Sequence, residues 1–176
     1  PGTTFTDVLA PFLATLHADD PLPAVSEEHP QRIYAALRSG ADLAIATERP
    51  PADLAYQPLA VLPVWAYVTP EHAWVGRGSV TVEELVQQTL LLLTPDYSPR
   101  RVLDHSVEQA RLSYSSMLEF GTPQVAQAVA AAGGGIAVVT ADPRIGLQPR
   151  DIIGGRGPMC NRRSATGEAG PHGAGT

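Results

Sequence analysis

The stretch Thr122–Val139, TPQVAQAVAAAGGGIAVV, contains a helix, a turn and a strand in succession. Thr122 offers a capping hydroxyl ahead of Pro123, a residue that suits the first turn of a helix. An apolar stripe at helical spacing follows, and it consists of Val125, Ala126, Val129 and Ala130. Three glycines at 133–135 end the helix, and Ile136–Val139 has the apolar run of a buried strand. This order predicts an α/β fold.

Strands and helices alternate over the rest of the chain as well. A capping box between Thr81 and Glu84 predicts a short helix over Val80–Leu85. The other predicted helices are Phe5–Leu16, Pro30–Gly40 and one that starts at Asp96, Ser98 and Pro99 and runs to about Ala110. The predicted strands and extended runs are Ala41–Ala46, Leu54–Pro58, Leu59–Val68, Leu90–Leu93, Leu112–Phe120 and Leu147–Ile153. Short loops between these elements predict a mainly parallel, doubly wound sheet.

Composition excludes several classes of protein. The 176-residue chain has a formal net charge of -6, and its 12 Lys and Arg are scattered, so the chain by itself is not expected to hold DNA. A single cysteine, Cys160, excludes an internal disulfide framework and favours a reducing cytoplasm. No run approaches the ~20 apolar residues of a membrane span, and the N-terminus lacks the pattern of an export signal.

No motif for catalysis, a metal or a cofactor stands out. The triple glycine follows a helix and precedes a strand, which reverses the order of a nucleotide-binding loop. The five histidines are spread along the chain without an HExxH pattern. Asp104, His105 and Ser106 are consecutive, so their side chains would fan around a helix instead of forming a triad. We therefore expect no enzyme, no metal and no cofactor.

Polar residues at several helix starts predict a binding cleft. In an open α/β sheet the helix N-termini collect at the carboxyl ends of the strands, where their N–H groups attract a carboxylate, another anion or a carbonyl group. These residues are Thr3, Thr4, His29, Ser98 and Thr122, each of which could equally be a cap alone. Arg101 adds a positive charge, although arginine in a first turn is more often solvated. Trp65 and Tyr67 could line the cleft or pack in the core.

Three segments resemble the effector-binding domain of LysR-type transcriptional regulators. Leu37–Ile45 is similar to the family's pattern of leucine, glycine and then Asp-Leu-Ala-Ile. Val80–Leu85 resembles a short helix ahead of the next strand, and Gln124–Val139 resembles a helix, glycine turn and strand. The resemblance runs from about Thr3 to Asp151. It implies a type II periplasmic-binding-protein-like fold, in which two Rossmann-like lobes joined by crossovers close on a small effector.

The resemblance also implies a site and partners. Together with Arg101, the expected ligand contacts are Thr3, Thr4, His29, Ser98, Phe120, Gly121 and Thr122. The effector is expected to be a carboxylate or another anion, and the intact protein is expected to be a cytoplasmic homodimer. DNA would be bound only through an N-terminal winged helix-turn-helix, with no role for a membrane. The alternative is a solute-binding protein of a transporter with the same fold.

The domain boundaries follow from the same resemblance. Lobe I is expected in residues 1–62, lobe II in 63–142 and a return crossover to lobe I in 143–153, followed by a tail, 154–176, that is expected to be disordered. Compared with the family, the headpiece, the first strand of the first lobe and the final strand and helix are missing. We therefore expect a fragment whose first lobe is incomplete and whose tail is an out-of-frame or random continuation.

Overall fold

The structure, a computed structural model, describes residues 9–59, 61–140 and 146–154 and the backbone of 157–158. The helices are α1 (Ala10–Leu13), α2 (Ile33–Arg38), α3 (Val82–Leu85), α4 (Ser98–Gln109) and α5 (Pro123–Ala131). The strands are β1 (Trp65–Val68), β2 (Ser79–Thr81), β3 (Thr89–Leu93), β4 (Ser116–Phe120), β5 (Ile136–Val139), β6 (Gln148–Gly154) and β7 (Gly157–Pro158).

The strands form one mixed sheet in the order β2-β6-β1-β5-β3-β4, with β7 paired to β6. β3 runs parallel to β4 and β5, and β2 runs parallel to β6, whereas β1 is antiparallel to both of its neighbours. The expected parallel arrangement is therefore confirmed only in part. Helices lie between consecutive strands from β2 to β5. The connection 69–78 after β1 contains no helix and is shorter than the crossover of about a dozen residues or more that a parallel return requires.

Helices cover both faces of the sheet, which gives two apolar layers. On one face, Leu85 of α3 and Leu103 and Val107 of α4 pack on Leu90 and other side chains of the sheet. On the other face, Ala126 and Ala130 of α5 pack with residues that include Tyr67, Leu91 and Leu93. Neighbouring residues of β3 fall in opposite layers because side chains alternate along a strand. The core therefore surrounds the sheet within residues 64–152.

The elements of this core confirm most of the predictions made for residues 80–154. α3 begins with the complete capping box of Thr81 and Glu84. α4, α5, β3 and β5 also lie where their patterns predict them. Gly133 and Gly135 have positive φ angles of 83° and 144°, as a helix stop and tight turn require. One residue of the α5 stripe differs: Val125 is 50% exposed, since the small side chains of Ala126 and Ala130 form the buried face.

The predictions for the first part of the chain are largely wrong. Ala41–Ala46 is not a strand, and among the described residues of the range 54–68 only Trp65–Val68 forms a strand, with an isolated bridge at Pro63. A strand needs a hydrogen-bonded neighbour, and none of the seven strands lies beside 41–46. The described part of the first predicted helix is limited to α1, and α2 begins three residues after Pro30. Residues 1–8 lie outside the described residues.

The last predicted strand, Leu147–Ile153, is present as β6, and its position in the sheet bears on the expected domain boundaries. β6 pairs with β1 and β2, so residues 148–154 belong to the same sheet as the elements expected in lobe II. Most of the expected crossover Ala141–Leu147 lies outside the described residues. The same holds for the expected tail, apart from Gly154 and the strand β7.

Candidate functional site

β3 and β4 are adjacent parallel strands whose carboxyl ends lie side by side, and each is followed by a helix. Leu93 at the end of β3 pairs with Phe120 at the end of β4. α4 follows the first strand and packs on one face, while α5 follows the second and packs on the other. The two helix N-termini therefore rise from neighbouring loops, and each presents the positive end of a helix dipole. This arrangement is suited to an anion or a carbonyl oxygen.

The start of α5 is capped as expected. The Thr122 hydroxyl accepts a hydrogen bond from the backbone N–H of Val125 at 3.4 Å. Pro123 occupies the first turn, where its missing N–H costs nothing. Thr122 therefore serves as a cap, and the residue is exposed to solvent.

The start of α4 differs from this pattern. Ser98 is its first helical residue and only 6% exposed, and the residue in the capping position is Tyr97. The Tyr97 side chain makes no cap bond within its own helix. Its hydroxyl instead donates to the backbone oxygen of Gly121, 2.7 Å away, in the loop that precedes α5. Nearby, the N–H of Thr94 donates to the Phe120 oxygen at 3.2 Å. Side chain and backbone thus join the two site loops.

Tyr97 has the protonation that this bond requires. Burial raises the pKa of its phenol, and the charges of Glu27 and Asp96 raise it further. The hydroxyl is therefore neutral and able to donate over the physiological pH range. Sequence reasoning missed this residue because tyrosine is not a capping residue; the available signal was an aromatic side chain directly before Ser98 and Pro99 at a helix start.

His29 lies beside this loop. Its ring packs edge-on against Tyr97, with 6.0 Å between the ring centroids. The His29 Nε2 atom lies 3.7 Å from one carboxylate oxygen of Asp96. The side-chain amide of Gln31 donates to the other oxygen of the same carboxylate. These contacts bring the segment between α1 and α2 to the start of α4.

Arg101 also lies at this loop, but its guanidinium already has partners. Its Nη1 atom donates to the backbone oxygens of Pro95 at 3.1 Å and Asp96 at 2.7 Å. Its Nη2 atom forms an ion pair with Glu48, a residue of the first part of the chain. A carboxylate ligand would therefore have to replace Glu48 or share the guanidinium with it.

The neighbouring Arg100 has a structural role. It is only 7% exposed and pairs with Asp104 at 2.8 Å and with Glu119 of β4. It also donates to the backbone oxygen of Leu93 at 3.1 Å. Burial opposes the charge on Arg100, but the hydrogen bonds that Arg100 donates to the carboxylates of Asp104 and Glu119 outweigh it and raise the pKa of the guanidinium. Arg100 thus fixes α4 to the end of the sheet.

The structure gathers most of the predicted ligand contacts around one loop. His29 and Gly121 contact Tyr97, Arg101 contacts Asp96, and Phe120 is half-buried beside the α5 layer. Thr3 and Thr4 lie outside the described residues. Tyr67 is fully buried and belongs to the core, and Trp65 packs against the same layer, which decides between their two possible roles.

Within the part of the chain that the structure describes, no group of three His, Cys, Asp or Glu side chains is arranged to hold a metal ion. None of the described helices has the length and apolar character needed to cross a membrane.

Comparison with known proteins adds a family and a fold. The family model described as the LysR substrate binding domain matches residues 1–143. The regulatory domain of CcmR from Synechocystis PCC6803, solved in complex with 2-PG, is 20% identical with a TM-score of 0.60. The alignment covers 75% of this chain and 66% of that domain. The mixed sheet covered by helices thus matches LysR substrate-binding domains of the periplasmic-binding-protein-like type.

Two other solved structures agree. The regulatory domain of MetR, a LysR family regulator from N. meningitidis, is 19% identical with a TM-score of 0.54, over 77% of this chain and 66% of that one. A full-length OxyR variant from Pseudomonas aeruginosa is 18% identical with a TM-score of 0.51, over 64% of this chain and 41% of that one. The chain therefore spans less than two thirds of the length of these structures.

Proposed function

The chain belongs to the family of LysR substrate-binding domains, and on this premise we propose that it senses a small-molecule effector for a LysR-type transcriptional regulator. The observation that supports this proposal is the pair of helix N-termini at the ends of β3 and β4. Binding there would favour one arrangement of the two lobes, and that preference would be passed to DNA binding elsewhere in the regulator. The proposed role is binding alone, without chemical conversion of the effector.

We assign the ligand contacts on this basis. The proposed contacts are Thr3, Thr4, His29, Ser98, Arg101, Phe120, Gly121 and Thr122. A carboxylate or another anion suits the two helix dipoles, and Arg101 adds a positive charge once Glu48 gives way. The CcmR domain is in complex with 2-PG, so 2-PG is a reasonable first probe for this chain.

Two lobes would enclose this ligand. We propose lobe I in residues 1–62 and lobe II from residue 63 to 142, with the chain returning through 143–153. The pairing of β6 with β1 and β2 supports counting residues 148–154 with lobe II as well. The contacts of His29, Gln31 and Glu48 with Asp96 and Arg101 would then cross the cleft between the lobes.

The proposed assembly is a cytoplasmic homodimer that binds DNA through a winged helix-turn-helix in the rest of the protein. β4 is an edge strand of the sheet, and its residues Met117 and Leu118 are exposed. Such an edge is suited to pairing with a second copy, because no strand among the described residues pairs with its backbone on that side. Cross-linking or sedimentation of the complete regulator would test this assembly.

The effector site can be tested by a ligand panel and two alanine variants. Small carboxylates and phosphates, 2-PG among them, would be screened by thermal shift, and the dissociation constant of each hit measured by calorimetry. Ser98→Ala and Thr122→Ala are expected to weaken a hit about tenfold each, the effect of losing one hydrogen bond to a charged group. Ser106→Ala is the matched control, since Ser106 is also in α4 but bonds only the backbone oxygen of Val102.

Two results would contradict the proposal. One is an affinity that neither variant changes, which would reduce both residues to helix-start residues without a ligand role. The other is a panel in which nothing binds the wild-type chain. The coding sequence upstream would separate the alternative function, because an export signal there would favour a transporter's solute-binding protein over a regulator.

A further inference from the structure

We propose that Tyr97 is a positioning residue, which holds the N-termini of α4 and α5 at a fixed spacing and thereby sets the affinity for the effector. This inference rests on the proposed function and adds to it a residue that does not itself need to touch the ligand. The juxtaposition that carries it is the hydrogen bond from the Tyr97 hydroxyl to the backbone oxygen of Gly121 at 2.7 Å.

Tyr97 is anchored at both of its ends. Its backbone N–H donates to the oxygen of Thr94 at 3.1 Å, and its backbone oxygen accepts from the N–H of Arg101 at 3.2 Å in the first turn of α4. The far end of its side chain holds the loop that enters α5. The ring thus acts as a rigid spacer between the two helix starts, with only two rotatable side-chain bonds to order.

The spacing matters because few donors are available at each helix start. Pro99 in α4 and Pro123 in α5 have no N–H group, so each first turn offers one donor fewer than usual. A ligand that uses donors from both helices requires them at a fixed separation, and a misplacement on the order of 1 Å is costly in such sites. The backbone bond from Thr94 to Phe120 joins the same two segments one residue further from α5 than Gly121, at the end of the sheet.

The surroundings of Tyr97 connect it with the rest of the proposed site. His29 packs on its ring, and Asp96, which lies beside His29 and Gln31, is the adjacent residue. The ring also packs in the layer that contains Phe120 and α5. Each described residue proposed to bind the ligand therefore either contacts Tyr97 or is next in the chain to Tyr97 or to a residue that Tyr97 contacts.

Tyr97→Phe tests this inference because it removes the hydroxyl and keeps the ring. The control is Tyr114→Phe, which removes a hydroxyl that donates to Asp104 at 2.6 Å, also in the region of α4 but away from the helix starts. Two readouts are compared in the full chain: the dissociation constant for 2-PG by calorimetry, and the hydrogen-exchange rate of the Val125 amide by NMR. The Val125 amide is chosen because it donates to Thr122 in the first turn of α5.

The expected result is a dissociation constant for 2-PG raised about tenfold in Tyr97→Phe, together with faster exchange at Val125. Tyr114→Phe is expected to leave both quantities at wild-type values, although it lowers stability. An exchange rate at Val125 that Tyr97→Phe does not change would overturn the inference, because the hydrogen bond from Tyr97 to Gly121 would then not stabilise the start of α5. So would an unchanged dissociation constant. If 2-PG does not bind the wild-type chain, the exchange rate still shows whether Tyr97 stabilises the start of α5. The ligand panel then shows separately whether the chain binds an effector.

Discussion

Residues 9–59 and residues 61–154 have sequence patterns of similar regularity but differ in structure. The first region contains two short helices, of four and six residues, and no buried residue among those described. The described residues of the second contain six of the seven strands, three helices and every buried apolar side chain of the core. The difference shows that apolar spacing predicts which face of an element would be buried, but burial itself requires neighbouring elements on which to pack.

The comparison predicts unequal effects of leucine truncation. Leu103 of α4 is fully buried, so Leu103→Ala should lower the free energy of unfolding by about 2–5 kcal/mol through lost burial and a cavity. Leu43 in the first region is 81% exposed, and Leu43→Ala should change the free energy of unfolding by less than about 0.5 kcal/mol. Urea denaturation of both variants measures the difference. Equal losses would show that the first region is packed as tightly as the second.

Glycine substitution should give a smaller contrast. Gly135 has a φ of 144°, and a Cβ atom there would lie 2.5 Å from the backbone oxygen of Thr89. Gly135→Ala should therefore cost about 1–3 kcal/mol from backbone strain, with the clash in addition. Gly40 also has a positive φ, 118°, but nothing lies within 4 Å and its helix buries no residue. Gly40→Ala should leave the cooperative unfolding midpoint close to wild type. The two midpoints, measured by circular dichroism, check this.

The capping box of α3 should contribute less again. The Thr81 hydroxyl accepts from the N–H of Glu84 at 3.2 Å, and Thr81→Ala should lower the free energy of unfolding by about 1 kcal/mol. Thr15→Ala is the control in the first region, where the exposed Thr15 hydroxyl donates to Phe12 at 2.7 Å beside a helix with no buried residue. Its effect on the global transition should be within the error of the measurement. Comparable losses in both variants would contradict the account.

The smallest expected effect concerns His72. Burial lowers the pKa of its imidazole below the ordinary value of 6.5, and the charge of Arg150 lowers it further. Because the folded state binds its proton less readily than the unfolded state, the resulting stability is present above pH 6.5 and is lost as the pH falls. The melting temperature of the wild type should therefore decrease between pH 7.5 and 5.5. His72→Asn, whose amide oxygen can still accept from Trp74, should decrease less; a steeper decrease would reverse the sign of this argument.

The sequence predicted those elements whose signals are local. The capping box of Thr81 and Glu84, the Thr122-Pro123 start of α5 and the glycine turn at 133–135 are fixed by bonds within a few residues, and all three are present. Ala41–Ala46 failed as a strand because pairing depends on distant residues. The prediction of a mainly parallel sheet missed the antiparallel direction of β1 for a similar reason, because apolar alternation does not record the direction in which a strand runs.

The candidate site was predictable to the same extent. His29, Ser98, Arg101 and Thr122 were predicted from helix starts and from family resemblance. Each lies beside one of the two site loops, and its contact with a ligand stays a prediction. Tyr97 was not found, because its hydrogen bond goes to Gly121, 24 positions along the chain. The partner of Arg101, Glu48, was missed because it lies in the other region of the chain.

An NMR titration of the isotopically labelled chain with the tightest ligand from the panel tests directly whether the two helix N-termini form the effector site. We expect the largest amide shifts at residues 96–101 and 120–126, which comprise the start of α4, the end of β4 and the start of α5 with the loops before the two helices. Smaller shifts are expected at His29 and Glu48, which contact the same loop. Shifts concentrated instead around Trp74 and Arg150, near the other edge of the sheet, would contradict the claim that the two helix N-termini form the effector site.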